Sequence, residues 1–430
     1  MRILWVSNSP WAPSGYGSQT RQVCRRLMAA GHEVILSAND GTRGEERTWE
    51  GATVLGSGMD RYSRDTVAQD IARTKPDRVI ILYDPWVYTS GWQDPFAGMT
   101  NVTCWTPVDH MPISPVMIPW LFEHASIAMS KFGFDRLSDL NAALKRDKGH
   151  GFPLTYIPHA LEKVICPTGV APLFGKTHRE QLGLSADAFL VGIVAANTGS
   201  AVHDRKAWSE MVLGAAQFMA RHRDAYLYVH TLPVGFEGIN LHMLFRACGI
   251  DPARVLWADE YLLKKQKFSD ADMAAIYTSL DVLLATSGGE GFGLPVLEAQ
   301  ACGTPVIVSN CTAQPELVGE TWSPERPGAR REASGWIVAT HPFWNAPHAA
   351  WFAKPDVSQI GLALEDAYEH KGDAGMKAAA LAKAAEYDAD RVFETYWQPY
   401  LASLADDAGR IARAQEKRER RAERNRRTAA

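Results

Sequence analysis

The chain has 430 residues, 46% of them hydrophobic, with 34 glycines and 24 prolines. This composition excludes a disordered, fibrous or collagen-like protein, and the length predicts two or three domains around a large core. The formal net charge of −4 combines a near-neutral first part, an acidic middle and a basic end. This distribution argues against a protein that coats nucleic acid along its whole length.

The sequence has no run of 18 apolar residues, and the apolar stretch after Met1 is too short for the core of a signal peptide. We therefore expect a cytoplasmic protein. The six cysteines form no C-x-x-C pair and have no zinc-ligand spacing with histidines. They are interpreted as reduced thiols.

The first part of the chain alternates strands and helices. A strand at Ile3–Ser7 is followed by a loop, a helix that Gly31 ends, and a second strand at Glu33–Ser37. Further apolar runs predict strands at Arg78–Tyr83, Val102–Trp105 and Ser126–Met129. Such alternation is typical of parallel βαβ units.

The alternation begins again after Leu182, with helices at Trp208–Arg221 and Asp270–Ser279. The strands predicted here are Phe189–Ala196, Tyr226–His230, Val255–Trp257, Val282–Ala285 and Val306–Ser309. Two runs of similar length predict two doubly wound α/β domains with a ligand cleft between them, because open α/β sheets bind ligands at the carboxyl ends of their strands.

The predicted division is an N-terminal domain at 1–168, a C-terminal domain at 169–385, a closing helix at 386–404 that crosses back to the first domain, and a tail at 405–430. The tail holds nine Lys/Arg and five Asp/Glu and almost no large apolar residues. Two interpretations stay open for it: a solvated, fraying helix, or a tether to an acidic partner or nucleic acid.

The segment from 281 to 308 carries the strongest chemical signal. A buried strand ends in a glycine-rich turn, after which Pro295 starts a short helix and Gly303 ends it. The amides at such a helix N-terminus favour a phosphate. Glu298, in the first turns of the helix, can accept hydrogen bonds from a ribose diol, and Glu290 lies closer to a reacting sugar. The alternative is two ordinary solvated acids beside a structural turn.

Glu290 and Glu298 stand eight positions apart, and the segment around them resembles the E-x7-E motif of retaining glycosyltransferases of family 4. Four further segments resemble the same family: Gly31–Val34, Ser126–Gly133, Tyr156–Ala160 and Gly303–Ile307. The resemblance extends to about residue 402. It implies the GT-B fold, in which two Rossmann-like domains face each other, and transfer with retention of configuration.

The resemblance also implies a donor site on the C-terminal domain. Glu298 would bind the ribose and Glu290 the sugar hydroxyls, beside the backbone of Gly291, Phe292, Gly293 and Leu294. The family commonly has an Arg directly after the first strand of this domain and a Lys further along. Here Asn197 follows the strand, Lys206 fits the Lys, and Arg205 would stand in for the missing guanidinium. Such cations would neutralise a leaving diphosphate.

Two loops of the N-terminal domain would complete the cleft. Gly15 and Gly17 lie where the family has a glycine-rich loop over the donor phosphates. Asp109 and His110 follow another strand, so that His110 would contact the donor sugar and Asp109 would orient an acceptor hydroxyl or act as its base. A structural hydrogen bond is the other interpretation of His110.

A stretch from Gly335 to Phe352 is rich in aromatic residues. It is interpreted either as a platform that stacks a sugar or a base, or as a loop packed on the edge of its domain. The second interpretation is the simpler one.

The sequence thus predicts a retaining transferase that moves a hexose-like unit from a nucleotide-diphosphate-sugar to an acceptor hydroxyl. No strand ends in an Asp-x-Asp pair, so no metal ion or other cofactor is expected. The alternatives are a sugar-nucleotide epimerase of the same fold, a phosphorylase, a dinucleotide-dependent oxidoreductase, and a non-catalytic protein that binds a nucleotide or nucleic acid. The donor nucleotide, the acceptor (glycan, lipid, protein or modified nucleobase) and the oligomeric state stay open.

Overall fold

A computed structural model describes residues 1–40, 42, 44–89, 94–198, 204–235, 238–319 and 330–404. Within these residues the chain forms two mainly parallel sheets flanked by helices, and a separate two-stranded hairpin. The mixed α/β architecture with two Rossmann-like domains is the one predicted. The tail predicted at 405–430 lies outside the described residues.

The first sheet has the strand order β3-β4-β2-β1-β5-β6-β7-β8, and every neighbouring pair is parallel except β3 and β4. Its strands are β1 (Arg2–Ser7), β2 (Glu33–Ala38), β3 (Arg47–Trp49), β4 (Ala52–Leu55), β5 (Arg78–Ile81), β6 (Val102–Thr106), β7 (Ala125–Ala128) and β8 (Leu154–Tyr156). The helices are α1 (Gly15–Ala29), α2 (Val67–Thr74), α3 (Ile118–Glu123) and α4 (Lys131–Lys148).

The second sheet has the order β11-β10-β9-β12-β13-β15-β14, with only β14 antiparallel to its neighbour. Its strands are β9 (Phe189–Val194), β10 (Ala225–His230), β11 (Val255–Trp257), β12 (Val282–Ala285), β13 (Val306–Ser309), β14 (Arg330–Glu332) and β15 (Gly335–Val338). The helices are α5 (His178–Leu182), α6 (Trp208–Met219), α7 (Leu241–Ala247), α8 (Glu260–Lys264), α9 (Asp270–Ser279), α10 (Leu294–Ala301), α11 (Val357–Glu369) and α12 (Ala374–Ala385).

The local sequence explains why these elements form. Central strands such as β1 and β12 are continuous apolar runs because helices cover both faces of a parallel sheet. Helix α1 begins after Ser14, whose hydroxyl accepts a hydrogen bond from Gly17 N at 3.1 Å, and Ser130 caps α4 through Gly133 N at the same distance. Short caps therefore fix where each helix begins beside the strand that precedes it.

The last helix within the described residues joins the two domains. It runs from 389 to 404, starting with α13 (Ala389–Val392), and it lies against the first sheet. The Trp397 ring lies 5.1 Å from Trp105, and Tyr400 Oη is 2.7 Å from Thr103 Oγ1. The division of the chain at 168 falls between the two sheets and stays a prediction.

The aromatic stretch predicted after Gly335 continues from β15 into a hairpin of β16 (Thr340–Asn345) and β17 (Ala350–Pro355). This hairpin leaves the second sheet and reaches the first domain, where Met111 pairs with Trp351. It therefore spans the cleft. Among the described residues, no helix combines the length and the apolar character needed to cross a membrane.

Candidate functional site

The carboxyl ends of the two sheets face each other, and the loop between β12 and α10 fills the gap. A Cβ atom at Gly289 would lie 2.2 Å from the carbonyl oxygen of Asp109, and one at Gly291 would lie 2.7 Å from Pro107 Cβ. Only glycine allows so close an approach of the two domains at these positions. The glycine-rich loop is thus pressed against the first domain and carries Glu290 into the cleft.

Glu290 lies between two cations. Its Oε1 is 2.5 Å from Lys206 Nζ and its Oε2 is 3.2 Å from Arg205 Nη1, and Arg205 also donates to the carbonyl of Gly289 at 2.7 Å. Burial opposes the charge of Glu290, but Lys206 and Arg205 outweigh it and lower the pKa of the carboxyl. The three predicted residues therefore form one charged cluster, in which Glu290 is ionised at neutral pH.

Asp109 and His110 extend this cluster from the first domain. Asp109 Oδ2 lies 3.6 Å from Arg205 Nη1, and Asp109 Oδ1 is 2.7 Å from His110 Nδ1. The backbone N–H of Ser114 donates to His110 Nε2 at 3.1 Å, so the proton of the neutral ring is on Nδ1 and Asp109 accepts it. Although burial raises the pKa of Asp109, His110 and Arg205 together hold it below its usual range.

Glu298 lies on α10, separate from the cluster. Its Oε2 accepts a hydrogen bond from Tyr277 Oη at 2.7 Å, and burial raises its pKa to about 7. Helix α10 begins at Leu294 after Gly293, whose φ is +110°, so the predicted Pro295 is its second residue instead of its first. Glu298 is thus one turn from a helix N-terminus that faces the cleft, where anions are favoured.

The remaining predicted donor residues differ in what they expose. The side chains of Phe292 and Leu294 are buried, so only their backbone can meet a ligand. Gly15 begins α1, and a Cβ there would lie 3.0 Å from Leu294 Cδ1, whereas the N–H of Gly17 already donates to the capping hydroxyl of Ser14. Gly15 and Leu294 thus meet where the two domains contact each other. Their contact with a donor stays a prediction.

Asn197 follows β9 as predicted, but its amide is already engaged. Its Nδ2 donates to the carbonyl of Ile239 at 2.8 Å, and its Oδ1 accepts from the N–H of the same residue at 3.1 Å. The side chain therefore holds the loop after β10 in place. Its predicted role in donor binding is untested, and these contacts give Asn197 a structural function.

Sequence reasoning missed Asp84 and Tyr16. Asp84 follows β5, and its Oδ2 accepts a hydrogen bond from Tyr16 Oη at 3.3 Å. Burial, followed by the neighbouring charge of Asp109, raises the pKa of Asp84 to about 6. Its position after a strand end was the available signal, because the ends of adjacent parallel strands share one edge. Asp84 and Asp109 thus form a pair of carboxyls with opposite pKa shifts.

Glu316, which was also missed, connects the two domains at the edge of the cleft. Its carboxylate accepts hydrogen bonds from the backbone N–H groups of Lys131 at 3.1 Å and Phe132 at 3.2 Å, at the start of α4. These donors lie in the first domain, and Glu316 belongs to the second. These two hydrogen bonds hold the second domain against the start of α4 in the first.

Burial raises the pKa of Glu316 from 4.5 to about 7 despite these two N–H donors. The folded state therefore holds this proton more tightly than the unfolded chain, and this contribution to the free energy of unfolding is lost as pH rises from about 4.5 to about 7. Glu316→Gln keeps an acceptor oxygen but does not titrate. We therefore expect the free energy of unfolding of this variant to fall less steeply with rising pH than that of the wild type. Urea unfolding followed by tryptophan fluorescence at several pH values measures it. The exposed Glu369→Gln is the control, and identical slopes in wild type and Glu316→Gln would contradict the prediction.

Comparisons with known proteins show which sequences the chain resembles. Residues 256–324, which include Glu290 and Glu298, match the family model described as glycosyl transferases group 1. O-antigen chain mannosyltransferase B of Escherichia coli is 47% identical over 51 residues, 12% of this chain and 13% of that protein. D-inositol 3-phosphate glycosyltransferase of Arthrobacter sp. (strain FB24) is 30% identical over 155 residues, 34% of this chain and 33% of that protein. The alignments with these two curated relatives span a third of their length or less.

Solved structures match over almost the whole chain. HepE of Anabaena, described in complex with UDP and glucose, has a TM-score of 0.64 at 17% identity and covers 94% of this chain and 100% of its own. Sucrose-phosphate synthase of Thermosynechococcus elongatus has a TM-score of 0.61 at 18% identity, and the match covers 96% of this chain and 98% of the synthase chain. The chain therefore has the predicted GT-B fold, and its residues 256–324 carry the sequence pattern of group 1 glycosyltransferases.

Proposed function

We propose that this protein is a glycosyltransferase that moves a sugar from a nucleotide-diphosphate-sugar to an acceptor hydroxyl with retention of configuration. The observation that carries the proposal is the cluster of Glu290, Lys206, Arg205 and Asp109 at the facing strand ends. Paired cations beside an ionised carboxylate suit a reaction in which negative charge develops on a leaving diphosphate next to a sugar. The names of the matched relatives support the same activity.

The donor would lie against the second domain. Glu298 would accept hydrogen bonds from the ribose hydroxyls, and the amides at the start of α10 would face the diphosphate. The complex of HepE with UDP and glucose supports a donor of this class, with the same fold around it. In this pose the carboxylate of Glu290 would accept hydrogen bonds from the sugar hydroxyls.

Arg205 and Lys206 would act on the leaving group. The bond from C1 of the sugar to the diphosphate oxygen breaks with its electron pair on the diphosphate, and the two cations stabilise that charge. The acceptor oxygen bonds to C1 on the face that the diphosphate leaves, and its proton ends on the diphosphate. His110, held by Asp109, would orient the sugar from the first domain.

Retention is tested on the products. We expect slow release of the diphosphate from one of the UDP-, GDP-, ADP- and dTDP-sugars without acceptor, and the freed sugar to keep the anomeric configuration of the donor. Proton NMR recorded before mutarotation reads that configuration. The opposite anomer would refute retention, and no release from any donor would refute the transferase itself.

We also expect activity without a divalent metal ion, because Arg205 and Lys206 supply positive charge where the diphosphate would lie. Diphosphate release should be the same in excess EDTA as with added Mg²⁺ or Mn²⁺. An activity that EDTA stops and either ion restores would show that the two cations do not suffice.

A further inference from the structure

The hairpin of β16 and β17 makes a sheet connection between the two domains. The N–H of Trp351 donates to the carbonyl of Met111 at 2.6 Å, and the N–H of Met111 donates back at 3.1 Å. On the same strand, the N–H of Ala353 donates to the carbonyl of Gly288 at 2.8 Å, in the glycine-rich loop. The hairpin is therefore fixed both to the loop that carries Glu290 and to the segment that follows His110.

One face of the hairpin covers the acidic residues of the first domain. The ring of Phe352 lies 5.5 Å from that of His110, and the ring of His348 at the hairpin turn lies 5.9 Å from it. His348 also lies 6.5 Å from Trp86, two residues after Asp84. The turn thus forms a roof over the ends of β5 and β6, where Asp84 and Asp109 lie.

Aromatic rings and hydrogen-bonding groups alternate beneath this roof. Tyr62 lies 6.0 Å from Trp86 and 5.9 Å from Tyr83, and Tyr83 lies 5.8 Å from Tyr16, which donates to Asp84. His348 Nδ1 lies 3.1 Å from Asn345 Oδ1, so Nδ1 carries the proton of the neutral ring. Nε2 is then free of a proton and can accept a hydrogen bond from a ligand. Aromatic faces with a few fixed acceptors suit a ring that carries hydroxyl groups.

The charges in this region disfavour an anionic acceptor. The charged groups that act on Asp84 are Asp109 and Arg205, and Arg205 lies against Asp109 and Glu290 and serves the donor diphosphate in the proposed reaction. Arg61 and Arg64 lie over the Tyr62 ring, and Arg64 is paired with Asp60 there. A phosphorylated acceptor beside Asp84 and Asp109 would thus meet two carboxyls, and like charges repel. A neutral acceptor can instead donate its hydroxyl protons to these oxygens.

On the basis of the function proposed above, we propose that the 340–355 hairpin covers an acceptor pocket formed by both domains. We propose further that the acceptor is a neutral sugar ring. The hydroxyls of this ring would meet Asp84 and His348 Nε2, and its apolar face would lie on Trp86. The hairpin is then a specificity element, which the second domain contributes to a site of the first.

The opposite face of the hairpin supplies a matched control. Trp344 and Trp351 pair across the two strands, and each is 46% exposed. Since Phe343 and Phe352 point to the covered face, Trp344 lies away from the pocket. Trp344→Ala therefore changes the same hairpin without touching the proposed contacts.

The test uses the full chain and a panel of neutral methyl glycosides, with sugar phosphates as the competing class. For each variant the ratio of transfer to donor hydrolysis is measured with a saturating donor. We expect the wild type to transfer the sugar to a neutral glycoside. In His348→Ala the ratio of transfer to hydrolysis should fall by about fivefold or more, because a hydrogen bond to the acceptor is lost. In Trp344→Ala the ratio should stay at the wild-type value. Thermal unfolding of both variants verifies the fold.

Three results would overturn the proposal: equal ratios in His348→Ala and Trp344→Ala, transfer to sugar phosphates only, or hydrolysis of the donor with no transfer to any neutral glycoside. In the last case a duplex DNA, a protein and a lipid acceptor would be tried next. Absence of donor hydrolysis in the wild type would refute the proposed function itself, so the two failures are distinct.

Discussion

Lys206→Met is expected to lower kcat about 10²- to 10³-fold, because a preorganised charge at a leaving group is worth that much in an enclosed site. Lys206 Nζ lies 2.5 Å from Glu290, and both residues would contact the donor on the side of the breaking bond. The substitution keeps an unbranched side chain, one atom shorter, and removes the ammonium group with its charge and its N–H donors. Steady-state release of the diphosphate measures the loss.

Lys264→Met is the matched control for this change, since Lys264 is an exposed lysine of the same domain that pairs with Glu260 on one helix. We expect wild-type turnover from it. Lys206→Arg keeps the positive charge and should recover part of the activity. Turnover of Lys206→Met close to that of the wild type, with the protein folded, would show that Lys206 takes no part in the reaction.

Glu298→Gln is expected to weaken donor binding strongly and to remove its pH dependence. Burial raises the pKa of Glu298 to about 7, while ribose hydroxyls that donate hydrogen bonds favour the ionised carboxylate. Binding therefore releases a proton, and the affinity for an intact nucleotide-sugar should rise about tenfold between about pH 6 and pH 8. Calorimetric titration of both proteins over this range measures it.

Intact nucleotide-sugars are needed for this titration, because a free nucleoside diphosphate has a phosphate group that titrates in the same range. The exposed Glu369→Gln should follow the wild type. A flat pH profile in the wild type, or an unchanged slope in Glu298→Gln, would contradict the placement of the ribose at Glu298.

The positions of the central strands could be predicted from the sequence, because parallel strands are buried on both faces. Runs such as Val282–Ala285 and Val306–Ser309 are continuously apolar, and the structure places strands at those positions. The strand-end rule and the family resemblance together predicted Glu290, Arg205, Lys206 and Asp109 at one cleft, and the structure brings them together.

Other parts depend on contacts between distant segments. Glu316 stands in a short turn, and its two N–H donors are 185 and 184 residues away, so no local pattern indicates its role. Asp84 is a single acid in a loop. The hairpin was hidden because adjacent aromatic residues, Phe343 with Trp344 and Trp351 with Phe352, break the alternation expected of a half-buried strand.

The most direct test of the central claim is the binding of nucleotide-sugars to the wild type beside Glu298→Ala. A thermal-shift series with UDP-, GDP-, ADP- and dTDP-sugars should show stabilisation by one nucleotide class, lost in the variant, with slow release of the same diphosphate by the wild type. If none of the four classes stabilises the wild type, the donor site around Glu290 and Glu298 is wrong and the protein is not the transferase proposed here.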